Sequence, residues 1–153
     1  MTSVFLVRIL PGRFNWTCAN ILIGSNDPFS TAGADAFEKA AIANQINVCT
    51  KAEYKAGSVD MKAAIKKIVD TRCCLVTVVF GQTQDLTSLL LEAHSQQYDG
   101  EWIIGDNIIG ALGDIARDLK RHLKSDSSVH KLLRGMYEFT LKDASQRFPQ
   151  CHL

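Results

Sequence analysis

The chain has 153 residues, 46% hydrophobic and 22% charged, with a formal net charge of +1. That is enough sequence for one domain with a real core, and too little net charge for a broad electrostatic partner such as a nucleic-acid backbone. No window reaches the apolar length of a membrane span, and the opening MTSVFLVRILPG carries Arg8 inside its apolar run without a small-residue cleavage site, so it does not read as a signal peptide.

In chain order, CANILI at 18–23 predicts a strand that ends at Gly24. Asp27-Pro28 reads as a helix start, because proline tolerates the first turn and an acid can cap it. The helix continues through the alanine-rich 32–44, and 46–49 reads as a short second strand. Ser58 opens the next helix. In it Met61, Ala64, Ile65, Ile68 and Val69 share one face, while Lys62, Lys66 and Lys67 occupy a solvated one. CLVTVVF at 74–80 is almost wholly apolar and β-branched, as a central parallel strand buried on both faces should be. It stops at Gly81. Asp85 is placed to cap the helix that follows, whose Leu86, Leu89, Leu90 and Ala93 share a face. Then come a strand at 102–104, a mixed-charge helix at 112–123, a loop at SDSS (125–128) and a last strand around 135–140.

Strand and helix therefore alternate. The pattern predicts an α/β fold: a three-layer, doubly wound, flavodoxin-like parallel sheet with helices on both faces and right-handed crossovers. Ligands of such sheets bind beyond the carboxyl ends of the strands, at the switch point of the topology. Three loops gain importance on that ground: Ser25-Asn26-Asp27-Pro28-Phe29, Gly81-Gln82-Thr83 and Gly105-Asp106-Asn107. Each leaves a strand through glycine or small polar residues.

Several chemistries lack their residues. There is no GxGxxG fingerprint, P-loop or GxSxG elbow. A response-regulator receiver wants an acid after its third strand, where Gly81-Gln82 stands. Asp106 is a lone carboxylate at its strand end, with no nucleophile or acid partner near it in sequence. Binding, with no catalysis and no cofactor, is the expectation. The histidines (His94, His122, His130, His152) fall at no metal-ligand spacing. The cysteines (Cys18, Cys49, Cys73, Cys74, Cys151) form no CxxC pair and leave two readings open. They are small buried hydrophobes, or disulfides among the first four that would mark an extracellular protein, as five free thiols would mark a cytosolic one.

Four stretches carry a resemblance: FNWT at 14–17, FSTAGADAF at 29–37, VVFGQTQDLTSLLLEAH at 78–94 and GEWIIGDN at 100–107. As a set they resemble the second lobe of a type I periplasmic-binding-protein fold, in particular the ligand-binding region of class C G-protein-coupled receptors of the metabotropic glutamate type. RGMYEFTL at 134–141 is similar to the last strand before the chain returns to lobe 1. The resemblance implies a ligand-sensing lobe of an extracellular receptor at the plasma membrane, binding an amino acid or similar small amine. It implies that Asp106 takes the ligand's ammonium through a charge-assisted hydrogen bond, that the Phe29 ring packs over it, and that Gln82 stands where the group can place an acid. Ser25, Asn26 and Asn107 complete the expected ligand-binding set. Read from residues alone, Asp106 is a helix cap in preference to a ligand contact, and Phe29 is equally a buried staple.

The implied organisation is a remnant of lobe 1 at 1–14, lobe 2 at 15–141 and a tail toward lobe 1 at 142–153. Where the family has a long helix before the aromatic segment, Pro11-Gly12-Arg13 leads directly into FNWT. The expectation is thus one side of a two-sided cleft, whose partners are a small amino-acid-like ligand, the complementary lobe or another receptor chain, or a second copy. The alternative is an orphan lobe serving as a structural or dimerisation module. Asn15-Trp16-Thr17 is also an N-glycosylation sequon.

Overall fold

The computed structural model describes residues 16–104, 112–124, 126–134 and 136–138. Strands β1 (Cys18–Ser25), β2 (Asn47–Lys55), β3 (Val76–Phe80), β4 (Glu101–Ile104) and β5 (Met136–Glu138) alternate with helices α1 (Pro28–Ala43), α2 (Lys62–Thr71) and α3 (Thr83–Ser95). Two helices, α4 (Leu112–Leu123) and α5 (Asp126–Arg134), separate β4 from β5. All neighbouring strands run parallel, in the order β2-β1-β3-β4-β5. The architecture is the α/β parallel sheet the alternation predicts. After β2 the chain crosses over β1 to reach β3, so the topology reverses between β1 and β3.

Alternation along β1 builds two cores. Ala19, Ile21 and Ile23 face α1, where they meet Ala34, Phe37 and Ala41 together with Val76, Val78 and Phe80 of β3. Leu22 points the other way, into a larger core with Met61, Ile65 and Ile68 of the α2 segment, Leu86, Leu89 and Leu90 of α3, and Ile115 and Leu119 of α4. The Phe37 and Phe80 rings lie 5.8 Å apart at 50°, a tilted packing. Asn20 is the polar exception in β1. Its Nδ2 donates to the Cys74 carbonyl at 2.8 Å, tying the start of β3 to β1.

Several elements differ from the sequence expectation. The second strand extends to Lys55, because β2 is an edge strand and the alternation in KAEYK buries only Ala52 and Tyr54. Helix α2 starts at Lys62 rather than Ser58: Ser58 Oγ accepts the Asp60 N–H and Asp60 Oδ1 accepts the Lys62 N–H, so these residues form the turn before the helix. Strand β3 begins at Val76, and Leu75 is exposed. Most of the segment read as the SDSS loop is the first turn of α5, started by Asp126. Its amphipathic stripe, Val129 and Leu132, was too short to be seen against a serine-rich start.

The cysteine question resolves to disulfides. Cys18–Cys74 joins the start of β1 to the approach to β3, and Cys49–Cys73 joins that same approach to β2. The lysine face of α2 is solvated as expected. Lys66 pairs with Asp70 at 2.6 Å, and Lys67 Nζ donates to the Lys51 carbonyl of edge strand β2 at 2.7 Å. On the same strand Lys51 Nζ meets Glu38 at 2.8 Å and Asp35 at 3.4 Å.

Candidate functional site

The carboxyl ends of β1 and β3 define the crevice. Strand β1 leaves it through Ser25 and Asn26. Asn26 takes the left-handed conformation (φ 64°), one that asparagine tolerates better than most residues. Asp27 then caps α1. Its Oδ1 accepts the Phe29 N–H at 3.2 Å and its Oδ2 accepts the Ser30 hydroxyl at 2.5 Å, while Pro28 supplies the first helical residue. This is the helix start the sequence predicts.

Strand β3 leaves through Gly81 and Gln82. Gln82 is the N-cap residue of α3 but makes no side-chain cap bond; its Oε1 accepts from Gln84 Nε2 at 2.7 Å. Asp85 is not a cap. It is 2% exposed, and its Oδ1 reaches across to accept the Gly57 N–H of the β2–α2 turn at 3.0 Å. The turn needs Gly57 because its φ is +79°.

Tyr54, near the end of β2, lays its phenol across the ends of β1 and β3. A Cβ at Gly24 would lie 3.1 Å from its hydroxyl, and one at Gly81 would overlap it. Both glycines are therefore clearances for the ring. Among the described residues neither Tyr54 Oη nor Asp85 Oδ2 has a hydrogen-bond partner, although both are sealed from solvent. The two groups are near enough to affect each other's proton affinity. Burial holds the Asp85 carboxyl above the ordinary carboxylate range; the Gly57 N–H and the Tyr54 hydroxyl oppose the shift, and the Asp27 charge adds to it. Burial also raises the Tyr54 phenol, with the Asp85 charge second. The crevice thus carries two carboxyl groups and a phenol around tight backbone.

The expected ligand set is only partly assembled. Ser25 is half-buried, its Oγ donating to the Tyr54 carbonyl at 3.0 Å, so it braces β1 against β2. Asn26 is exposed. Phe29 is 73% exposed and is no buried staple. Gln82 is exposed at the start of α3. Ser25, Asn26, Phe29 and Gln82 do share the carboxyl end of adjacent strands β1 and β3. Asp106 and Asn107 lie outside the described residues, as do Asn15 of the sequon and Cys151. Sequence reasoning missed Tyr54 and took Asp85 for a cap. The signal for Tyr54 was its place at the end of an alternating strand whose length was underestimated.

Residues 1–152 match the receptor family ligand binding region. The chain belongs to that family. Among curated proteins none matches it. Solved structures share the fold of this ligand-binding region. A type 1 periplasmic binding protein from Bordetella pertussis Tohama I is 14% identical with a TM-score of 0.68, over 90% of this chain and 33% of that one. A substrate-binding periplasmic protein from Ralstonia solanacearum is 10% identical with a TM-score of 0.68, over 88% and 34%. A leucine binding protein from Thermotoga maritima is 9% identical with a TM-score of 0.69, over 77% and 33%. The chain spans about a third of the length of these structures. The fold class and the membership in a receptor ligand-binding family agree with the expectations from sequence.

Proposed function

We propose that this chain is one lobe of an extracellular or periplasmic receptor region that binds an amino acid or similar small amine, rather than an enzyme. The observation that carries the reading is the position of the loops. Ser25–Phe29 and Gly81–Gln82 leave adjacent parallel strands at the reversal of the sheet, where open α/β sheets receive ligands. The family match and a leucine binding protein among the fold neighbours support a small amino-acid-like ligand. The two disulfides support an oxidising compartment.

In the finer form of this proposal the chain is the second lobe of a class C G-protein-coupled receptor type. Asp106 takes the ligand's ammonium, the exposed ring of Phe29 packs over it, and Ser25, Asn26, Gln82 and Asn107 border the pocket. The anionic end of the ligand then falls to a complementary lobe. A thermal-shift panel of free amino acids and small amines tests it, with Asp106→Ala beside the parent. A selective rise in midpoint that vanishes in Asp106→Ala supports the reading, because a ligand that binds only the folded state stabilises it. A well-folded chain that responds to no compound removes the claim that this lobe binds alone.

A second reading rests on exposed apolar residues at this same end of the sheet. Phe29 and Val59 are 73% and 85% exposed. On that reading the lobe associates through this rim, with a second copy or a complementary lobe, without a small-molecule response. Sedimentation of the parent against Phe29→Ser with Val59→Ser separates the two readings.

A further inference from the structure

The approach to β3 carries adjacent cysteines bonded to different strands, and the two bonds have unequal surroundings. Cys74 is buried within the α1-side core, and Cys18 packs against that core. Cys73 is exposed, and Cys49 is half-buried. One amide, Asn47 Nδ2, points at both sulfurs of the second bond, 3.4 Å from Cys49 Sγ and 3.9 Å from Cys73 Sγ. A cavity of about 410 Å³ opens at this end of the sheet, walled by Trp16, Arg72, Cys73 and Glu101 among others.

We infer that Cys49–Cys73 is a thiol-exchange site, opened by a dithiol reductant while the lobe stays folded, and that Cys18–Cys74 is a permanent structural bond. Exchange needs an approach to one sulfur and a stabilised thiolate on the other. Cys73, an exposed residue on the cavity wall, offers the approach. A thiolate of the dithiol attacks its Sγ, a bond forms between the two sulfurs, and the Cys49–Cys73 bond breaks. The electron pair leaves on Cys49 Sγ, to which the Asn47 N–H donates a hydrogen bond before water supplies the proton. The reductant's second thiolate then attacks its own bound sulfur and releases Cys73. The dithiol ends as a disulfide and the protein gains two electrons and two protons. At Cys18–Cys74 the leaving thiolate would form against apolar surroundings that disfavour it. Cys18 and Cys74 border the same cavity, but Cys74 is buried in the core and Cys18 packs against it.

The bond closes the segment made of β2, the following turn and α2. That turn holds Gly57, whose N–H anchors Asp85 at the opposite end of the sheet. Opening the bond removes a covalent restraint on the element that fixes the crevice carboxyl.

The test is graded reduction of the native 153-residue chain with dithiothreitol, acid quench, alkylation and peptide mass spectrometry, with fragment ions separating Cys73 from Cys74. We expect Cys49 and Cys73 to label at least tenfold faster than Cys18 and Cys74, with the far-UV circular dichroism unchanged during the first phase. Asn47→Asp, which places a negative charge beside the leaving sulfur, should slow that phase at least threefold. Concerted labelling of all four cysteines, loss of the folded signal together with the first phase, or faster labelling of Cys18 and Cys74 would each overturn the inference. An unchanged rate in a folded Asn47→Asp would overturn the role of the amide.

Discussion

The Tyr54 hydroxyl occupies the volume that a side chain at Gly81 would need. One aromatic residue on the edge strand thereby dictates a glycine at the end of the central strand. It also brings a hydroxyl to the reversal point of the sheet.

Gly81→Ala should cost about 1–3 kcal/mol, as overpacking at an unyielding site does. Gly24→Ala should cost less, because its new methyl would sit 3.1 Å from the same hydroxyl instead of overlapping it. Adding Tyr54→Phe to Gly81→Ala removes the colliding oxygen and should restore part of the loss. Chemical denaturation of the parent, Gly81→Ala, Tyr54→Phe and the double variant measures this coupling. Simple additivity would show that the collision is relieved elsewhere.

Asp85 makes stability depend on pH in a defined direction. Its folded proton affinity is raised by burial above the ordinary value of 3.8. The folded state therefore holds this proton more tightly than the unfolded chain. Its contribution is full below the unfolded carboxyl value and is lost as pH rises through the raised folded one. Asp85→Asn keeps an acceptor for the Gly57 N–H and removes the charge. Its melting temperature relative to the parent should rise between pH 3 and the neutral range, then level off. A difference that stays constant across that range would mean that the carboxyl titrates normally.

Asn20→Ala should destabilise the lobe by about 1–3 kcal/mol, the cost of leaving a buried acceptor without a partner. The group abandoned is the Cys74 carbonyl. Amide exchange should quicken at the start of β3 more than at its end. Uniform quickening along the strand would place the effect elsewhere.

Phe29 lies exposed at the start of α1, so Phe29→Ser should change stability by no more than about 0.5 kcal/mol. Any ligand-induced rise in midpoint, or any self-association, should nonetheless fall. A variant that melts well below the parent would show that the ring is structural.

The sheet was legible because its central strands are nearly pure apolar runs cut off by glycine, as at Val78, Val79, Phe80 and Gly81. The start of α1 was legible because Asp27 and Pro28 both act locally. Edge strand β2 was legible only at its start. Only one of its faces is buried, so Lys51 and Glu53 interrupt the run that would have announced it. Helix α5 hid behind serines, since its burial comes from packing on α4. For the site, the loops at the ends of β1 and β3 could be read in advance, because glycine and small polar residues mark them. The Tyr54–Asp85 pairing could not. It joins two residues distant in sequence, and nothing local to Asp85 distinguishes a helix cap from a carboxyl that reaches over to the turn at Gly57.

The ammonium of Lys67 on the Lys51 carbonyl has a bearing on how this lobe meets other proteins. Among the described residues strand β2 ends the sheet on its side, and a bare edge is a template on which a foreign strand can zip up. At the middle of that edge the acceptor is already taken by a charged donor from the neighbouring helix. An incoming peptide would have to evict that donor and bring its own backbone past Lys51, Glu53 and Lys55. Partners of this lobe should therefore dock side chain to side chain, on its crevice end or its helices, and the lobe should resist joining β-type aggregates through β2.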